Sequence, residues 1–111
     1  AARYREMLGD VDGIELPAES AYSTHVYHQF TLKVADGRRD ARKEHLASCG
    51  IPSMIYYPLP LHRQKAYLKP DLSLPVSEYL ASGVLSLPMH TELDAGMQER
   101  IAGAVKEFFR K

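Results

Sequence analysis

Apolar residues recur along this chain at two spacings, and the switches between them mark out the elements. From Thr24 to Val34 they take every second position. Val26, His28, Phe30, Leu32 and Val34 share one face, and His25, Tyr27, Gln29, Thr31 and Lys33 share the other. Apolar-in, polar-out alternation is the pattern of an antiparallel strand with one face covered. Ile14–Leu16 reads as a shorter strand stopped by Pro17, Ser53–Tyr57 as one halted by Pro58 and Pro60, and Val84–Leu87 as one ending before Pro88.

Helical spacing occupies the rest. Tyr4, Met7 and Leu8 fall on one face of a segment, residues 1–8, that reads as the last turns of a helix with Gly9 as its C-cap. Asp10–Gly13 is turn chemistry. Ala35-Asp36-Gly37 turns the chain, and Asp36 is placed to cap a helix over Arg38–Cys49 that Gly50 ends in the left-handed conformation. Leu61–Tyr67 suits a short helical turn and Lys69–Pro75 a loop. Pro75 favours the first turn of a helix over Val76–Gly83. Thr91 opens the last helix, with Asp94 three residues on and a buried stripe of Leu93, Met97, Ile101, Val105 and Phe108. Together these predict an α+β two-layer sandwich, a small antiparallel sheet with helices packed on one face.

Composition narrows the function. The 111 residues carry 14 Lys and Arg against 14 Asp and Glu, and that balance argues against a nucleic-acid-binding domain, which clusters positive charge. No apolar run approaches the ~20 residues of a membrane helix. Cys49 is the single cysteine, so no internal disulfide forms, and a reducing, cytoplasmic setting is expected. The chain opens on Ala-Ala-Arg-Tyr without a helix N-cap, which reads as a piece of a longer protein.

Of the five histidines, His25 and His28 fall on opposite faces of their strand, His45 belongs to a charged helix, and His62 and His90 lie in separate Pro-flanked loops. No H-x-x-x-H pair or His/Cys spacing stands out, and no metal site is expected. There is no G-x-S-x-G elbow and no glycine-rich phosphate loop. The segment from Ile55 through Tyr56-Tyr57-Pro58-Leu59-Pro60-Leu61-His62-Arg63-Gln64 stands apart. Two tyrosines end a strand, two prolines stiffen its exit, and polar side chains follow at once. A stiff loop past a strand end suits ligand positioning, because little ordering entropy is left to lose. On pattern alone the plainer reading is the stronger one: Tyr56 or Tyr57 a core aromatic with a wet hydroxyl, and His62 a surface residue.

In order along the chain, His25-Val26-Tyr27-His28-Gln29-Phe30, Gly50-Ile51-Pro52-Ser53, Tyr56-Tyr57-Pro58-Leu59-Pro60-Leu61-His62-Arg63-Gln64 and Leu85-Ser86-Leu87-Pro88-Met89-His90 resemble the C-terminal part of the DegT/DnrJ/StrS sugar aminotransferases. The resemblance implies a pyridoxal-phosphate enzyme that moves an amino group, commonly from glutamate, onto a nucleotide-linked keto sugar, with its active site at a homodimer interface. It implies that residues 1–111 are the C-terminal small domain, with residues 1–8 the end of the helix leading from a missing large domain. That large domain carries the cofactor lysine, so no catalytic residue and no bound cofactor are expected in this chain, and the piece alone is expected to be inactive. Tyr56, Tyr57 and His62 match positions near the sugar nucleotide; Tyr27, His28 and Gln64 belong to the motifs and serve equally as packing or bracing. A dehydratase relative, and a non-catalytic sugar- or peptide-binding or dimerisation module, are the alternative readings.

Overall fold

A computed structural model describes residues 1–110, with side chains through Phe108. Its sheet is built on the clearest stretch of the alternation. Strand β2 (Phe30–Val34) buries Phe30, Leu32 and Val34 and leaves Thr31 and Lys33 half-exposed. On one side it pairs antiparallel with β1 (Ile14–Glu15), Ile14 opposite Val34. On the other it pairs antiparallel with β3 (Val84–Leu87), Phe30 opposite Leu87 and Leu32 opposite Leu85. The order is β1-β2-β3, an open three-stranded antiparallel sheet.

Three helices supply the opposing layer: α1 (Ala2–Leu8), α2 (Arg39–Ser48) and α4 (Ala95–Arg110). The core joins Tyr4 and Leu8 of α1, Leu46 of α2, and Ile101, Ala102, Ala104 and Val105 of α4 to Phe30, Leu32, Leu85 and Leu87. Tyr4 lies 5.0 Å from Phe30 between ring centroids, and its hydroxyl donates to the Pro88 carbonyl at 2.9 Å. The α+β class with a small antiparallel sheet is therefore observed as expected.

Helix ends follow local chemistry. Gly50 takes φ +72°, its N–H reaches the Ala47 carbonyl at 2.9 Å, and the Ile51 N–H reaches Leu46 at 2.9 Å. That is a Schellman closure, with apolar Leu46 and Ile51 meeting beneath it. Gly9, expected to cap α1, stays right-handed at φ −64°. Asp36 lies two residues before Arg38, the N-cap of α2, yet its carboxylate accepts the Arg38 N–H at 3.0 Å and pairs with Arg42 at 2.7 Å. The last helix starts at Ala95, not Thr91, because Asp94 is its N-cap and accepts the Met97 N–H at 2.8 Å. Leu93 thus precedes the helix and Met97 is exposed, whereas Ile101, Val105 and Phe108 are buried as the stripe predicts.

Two predicted strands are shorter than the alternation suggested. Residues 24–28 leave the sheet: Tyr27 has φ +48°, its N–H is taken by His25 Nδ1 at 2.9 Å, and Val26 is fully solvent-facing. A side chain that claims a backbone donor removes it from the ladder. Ser53–Tyr57 contributes one bridge, Met54 to Ser86. Pro52 and Pro58 lack the N–H groups a longer ladder needs.

Between that bridge and β3 the chain makes an excursion over residues 55–83. It comprises two 3-10 turns, Leu61–Arg63 and Lys65–Tyr67, and helix α3 (Pro75–Gly83). Gly83 brings the end of α3 against β2, where a Cβ would stand 3.0 Å from the Val34 carbonyl oxygen. Val84 alternates with Leu85 and so faces away from the main core, toward this excursion.

Candidate functional site

An open cavity of about 760 Å³ lies within the excursion, floored by Ala81 and Val84 and walled by Tyr56, Tyr57, Leu59 and His62. The two tyrosines meet edge to face, 5.6 Å between centroids and 73° between planes, across a cis peptide bond. Tyr57 is 71% exposed, and Tyr56 is about half as exposed. Both phenols therefore have a free polar end at the mouth of an apolar hollow, the usual build of a small-molecule site.

His62 is the buried polar member of the wall. It is only 7% exposed, and its Nε2 lies 2.9 Å from Glu78 Oε1 on α3. Arg63 Nη2 donates to the same oxygen at 2.9 Å, and the Leu74 N–H approaches it at 3.5 Å. The hydrogen bonds from His62 and then Arg63 pull the Glu78 carboxyl down to about 2. Because the Lys69 N–H also closes on the His62 carbonyl at 3.3 Å, the turn is pinned at its backbone and its side chain.

The sequence-derived residues divide by place. Tyr56, Tyr57, His62 and Gln64 line the cavity together. His28 lines a neighbouring crevice of about 320 Å³ with Gln29, Ser53, Met54 and Ser86, and Tyr56 forms part of both walls. Tyr27 joins neither. Its hydroxyl accepts from Arg5 Nη2 at 2.7 Å and donates to Glu19 at 2.8 Å, while the guanidinium of Arg5 also donates to the Pro17 carbonyl. This braces residues 17–27 against α1.

Two groups escaped the sequence reading. Glu78 is sixteen residues from His62 in the chain, and its only local mark is its place in the first turn of a proline-initiated helix. The second is a cluster: His45 on α2 and Cys49 at its C-cap are four apart, a His/Cys spacing the sequence reading passed over. With Glu107 of α4 they bring donor atoms within 4.8 Å of one another. His45 Nε2 is already 3.0 Å from the Ala104 carbonyl, so one ring nitrogen is engaged in joining the two helices.

Residues 1–106 match the model of the DegT/DnrJ/EryC1/StrS aminotransferase family. Over 96% of its length the chain is 43% identical to a UDP-N-acetyl-3-dehydro-alpha-D-glucosamine 3-aminotransferase of Acidithiobacillus ferrooxidans, covering 28% of that protein. It superposes on a DegT DnrJ EryC1 StrS aminotransferase from Brucella abortus with a TM-score of 0.85 and 39% identity, covering 99% of this chain and 29% of that one. It superposes on S. venezuelae DesV, solved in complex with a ketimine intermediate, with a TM-score of 0.92 and 35% identity, covering 99% and 30%. The chain spans less than a third of each of these relatives.

Proposed function

The chain belongs to the DegT/DnrJ/EryC1/StrS aminotransferase family, and from that premise we propose that it is the C-terminal small domain of a pyridoxal-phosphate-dependent transaminase. The whole protein transfers an amino group from glutamate to a nucleotide-linked keto sugar, as a cytoplasmic homodimer. The relatives' action on nucleotide sugars supports the substrate class. The observation that carries the reading is the exposed pair Tyr56 and Tyr57 at the mouth of the cavity, with His62 held in its wall.

Residues of this chain do not by themselves fit the cofactor. Lys33 is paired with Glu15, Lys106 with Asp10, and Lys43 with the Ser53 carbonyl. Lys69 lines the cavity, but among the described residues no carboxylate lines it to pair with the cofactor's pyridine nitrogen. On this reading the remainder of the protein holds the cofactor, and this chain binds and orients the sugar nucleotide. Tyr57 and Tyr56 offer hydroxyls and a stacking wall, His62 a ring nitrogen. Gln64 extends the wall, His28 borders the adjoining crevice, and Tyr27 braces its approach.

Two measurements test this. Incubating the 111-residue chain with pyridoxal phosphate, reducing with borohydride and mapping by mass spectrometry should yield no single stoichiometrically labelled lysine. One such lysine, with turnover, would overturn the assignment. In the whole protein Tyr57→Phe should lower kcat/KM for the sugar nucleotide several-fold, the loss of one neutral hydrogen bond at about 0.5–1.5 kcal/mol, with cofactor content unchanged. Kinetics identical to the wild type would remove Tyr57 from the site.

A further inference from the structure

We propose that Glu78 is a positioning residue that fixes His62 as a hydrogen-bond acceptor at the cavity, so that this position takes a hydroxyl or amide N–H of the ligand and not a phosphate oxygen.

The geometry is specific. An ionised carboxylate can only accept, so the 2.9 Å contact between His62 Nε2 and Glu78 Oε1 places the ring proton on Nε2. In the neutral ring that the proposal invokes, one nitrogen donates and the other accepts, so Nδ1 is the acceptor. Nδ1 makes no hydrogen bond among the described residues, and it is not among the enclosed side-chain atoms that lack one. His62 is thus nine-tenths buried in the cavity lining and held at Nε2, while Nδ1 is neither bonded nor fully enclosed. Arg63 donates to the same Glu78 oxygen, which offsets the carboxylate charge and favours its ionised, acceptor-only form.

The ligand chemistry follows from the vacancy at Nδ1. A diphosphate diester carries no O–H at neutral pH and offers a bare acceptor nothing. Sugar hydroxyls and an N-acyl N–H do. Which ligand supplies that donor rests on the nucleotide-sugar reading; the state of the ring does not.

The test uses the whole protein with ¹⁵N-labelled histidine. Long-range ¹H–¹⁵N spectra, assigned by the signal lost in His62→Gln, should show Nε2 protonated and Nδ1 bare, and Glu78→Ala should abolish that preference. A wild-type ring protonated at Nδ1 alone or at both nitrogens, or an unaltered tautomer in Glu78→Ala, overturns the proposal. Calorimetry with UDP-N-acetylglucosamine and with UDP then locates the donor. His62→Gln keeps a donor toward Glu78 but no acceptor at the Nδ1 position, and should weaken the sugar nucleotide about 3- to 10-fold while leaving UDP unchanged. His62→Asn, which keeps an oxygen near Nδ1, should retain most of the affinity. Equal losses for both probes would put phosphate at His62 and refute the assignment. A protein that binds neither probe would refute the nucleotide-sugar reading, and the spectrum would still decide the role of Glu78.

Discussion

Tyr4 gives the sharpest test of how the core is held. Its ring is wholly buried on Phe30, and its hydroxyl is spent on the Pro88 carbonyl at 2.9 Å. Burial pushes its phenol up to about 12, against an ordinary value of 10.0. Tyr4→Phe preserves the shape and removes one hydrogen bond, which should cost about 1–2 kcal/mol near neutral pH. With an unfolding entropy of about 2.1 cal/mol/K per residue, that is a fall in Tm of roughly 4–9 °C for a domain of this size. The pH dependence carries the opposite sign. A phenol that ionises less readily when folded stabilises the fold fully below its unfolded value, and this contribution drains away as pH climbs from 10 toward 12, by about 2–3 kcal/mol in all. Phe has nothing to ionise, so the wild-type and variant stability curves should converge and cross in that range. Urea unfolding of both chains at a series of pH values measures it. Equal stability at neutral pH, or parallel curves through the alkaline range, would show that the hydroxyl is wet and the anchor absent.

Two further outcomes can be checked on the same chain. Asp94→Ala removes the cap on α4 and should lower stability by about 1 kcal/mol, read as a few degrees in Tm; an unchanged Tm would mean that water serves the Met97 N–H as well. Glu78 holds its turn as a carboxylate with a lowered folded value, so the anchorage is complete above about 4.5 and is lost as pH falls toward about 2. Amide exchange across residues 61–78 should accelerate over that acid range before the sheet opens, and exchange that stays flat there would refute the anchoring role.

The sheet was legible wherever burial enforced the alternation. Phe30, Leu32 and Val34 must face the core, and no other register satisfies them. Upstream, the same alternation persisted in the letters without any burial behind it. Tyr27 turned to positive φ, and His25 captured its N–H, which a period-two pattern does not report. Helix ends were legible to within a few residues, with Asp94 correctly singled out but one position made to serve as interior instead of cap. The site was half legible. The Tyr56–Gln64 segment stood out because prolines and polar residues rarely crowd a strand end without purpose. Its controlling partner Glu78 did not, because an ion pair closed across a loop leaves no periodic trace.

The sheet's two margins have a consequence for how this surface meets other chains. One margin, β1, is two residues long and followed by Pro17; Lys33 and Glu15 are ion-paired across it at 2.6 Å. The other, along β3, is occupied at Ser86 by the Met54 bridge, with Pro52 just behind. Short, charged and proline-guarded edges discourage backbone-to-backbone growth, the route by which open sheets recruit foreign strands and aggregate. A fold that exposes several aromatic and aliphatic side chains between Tyr56 and Tyr79 therefore confines its stickiness to those side chains, where shape can discriminate between partners and a peptide backbone cannot.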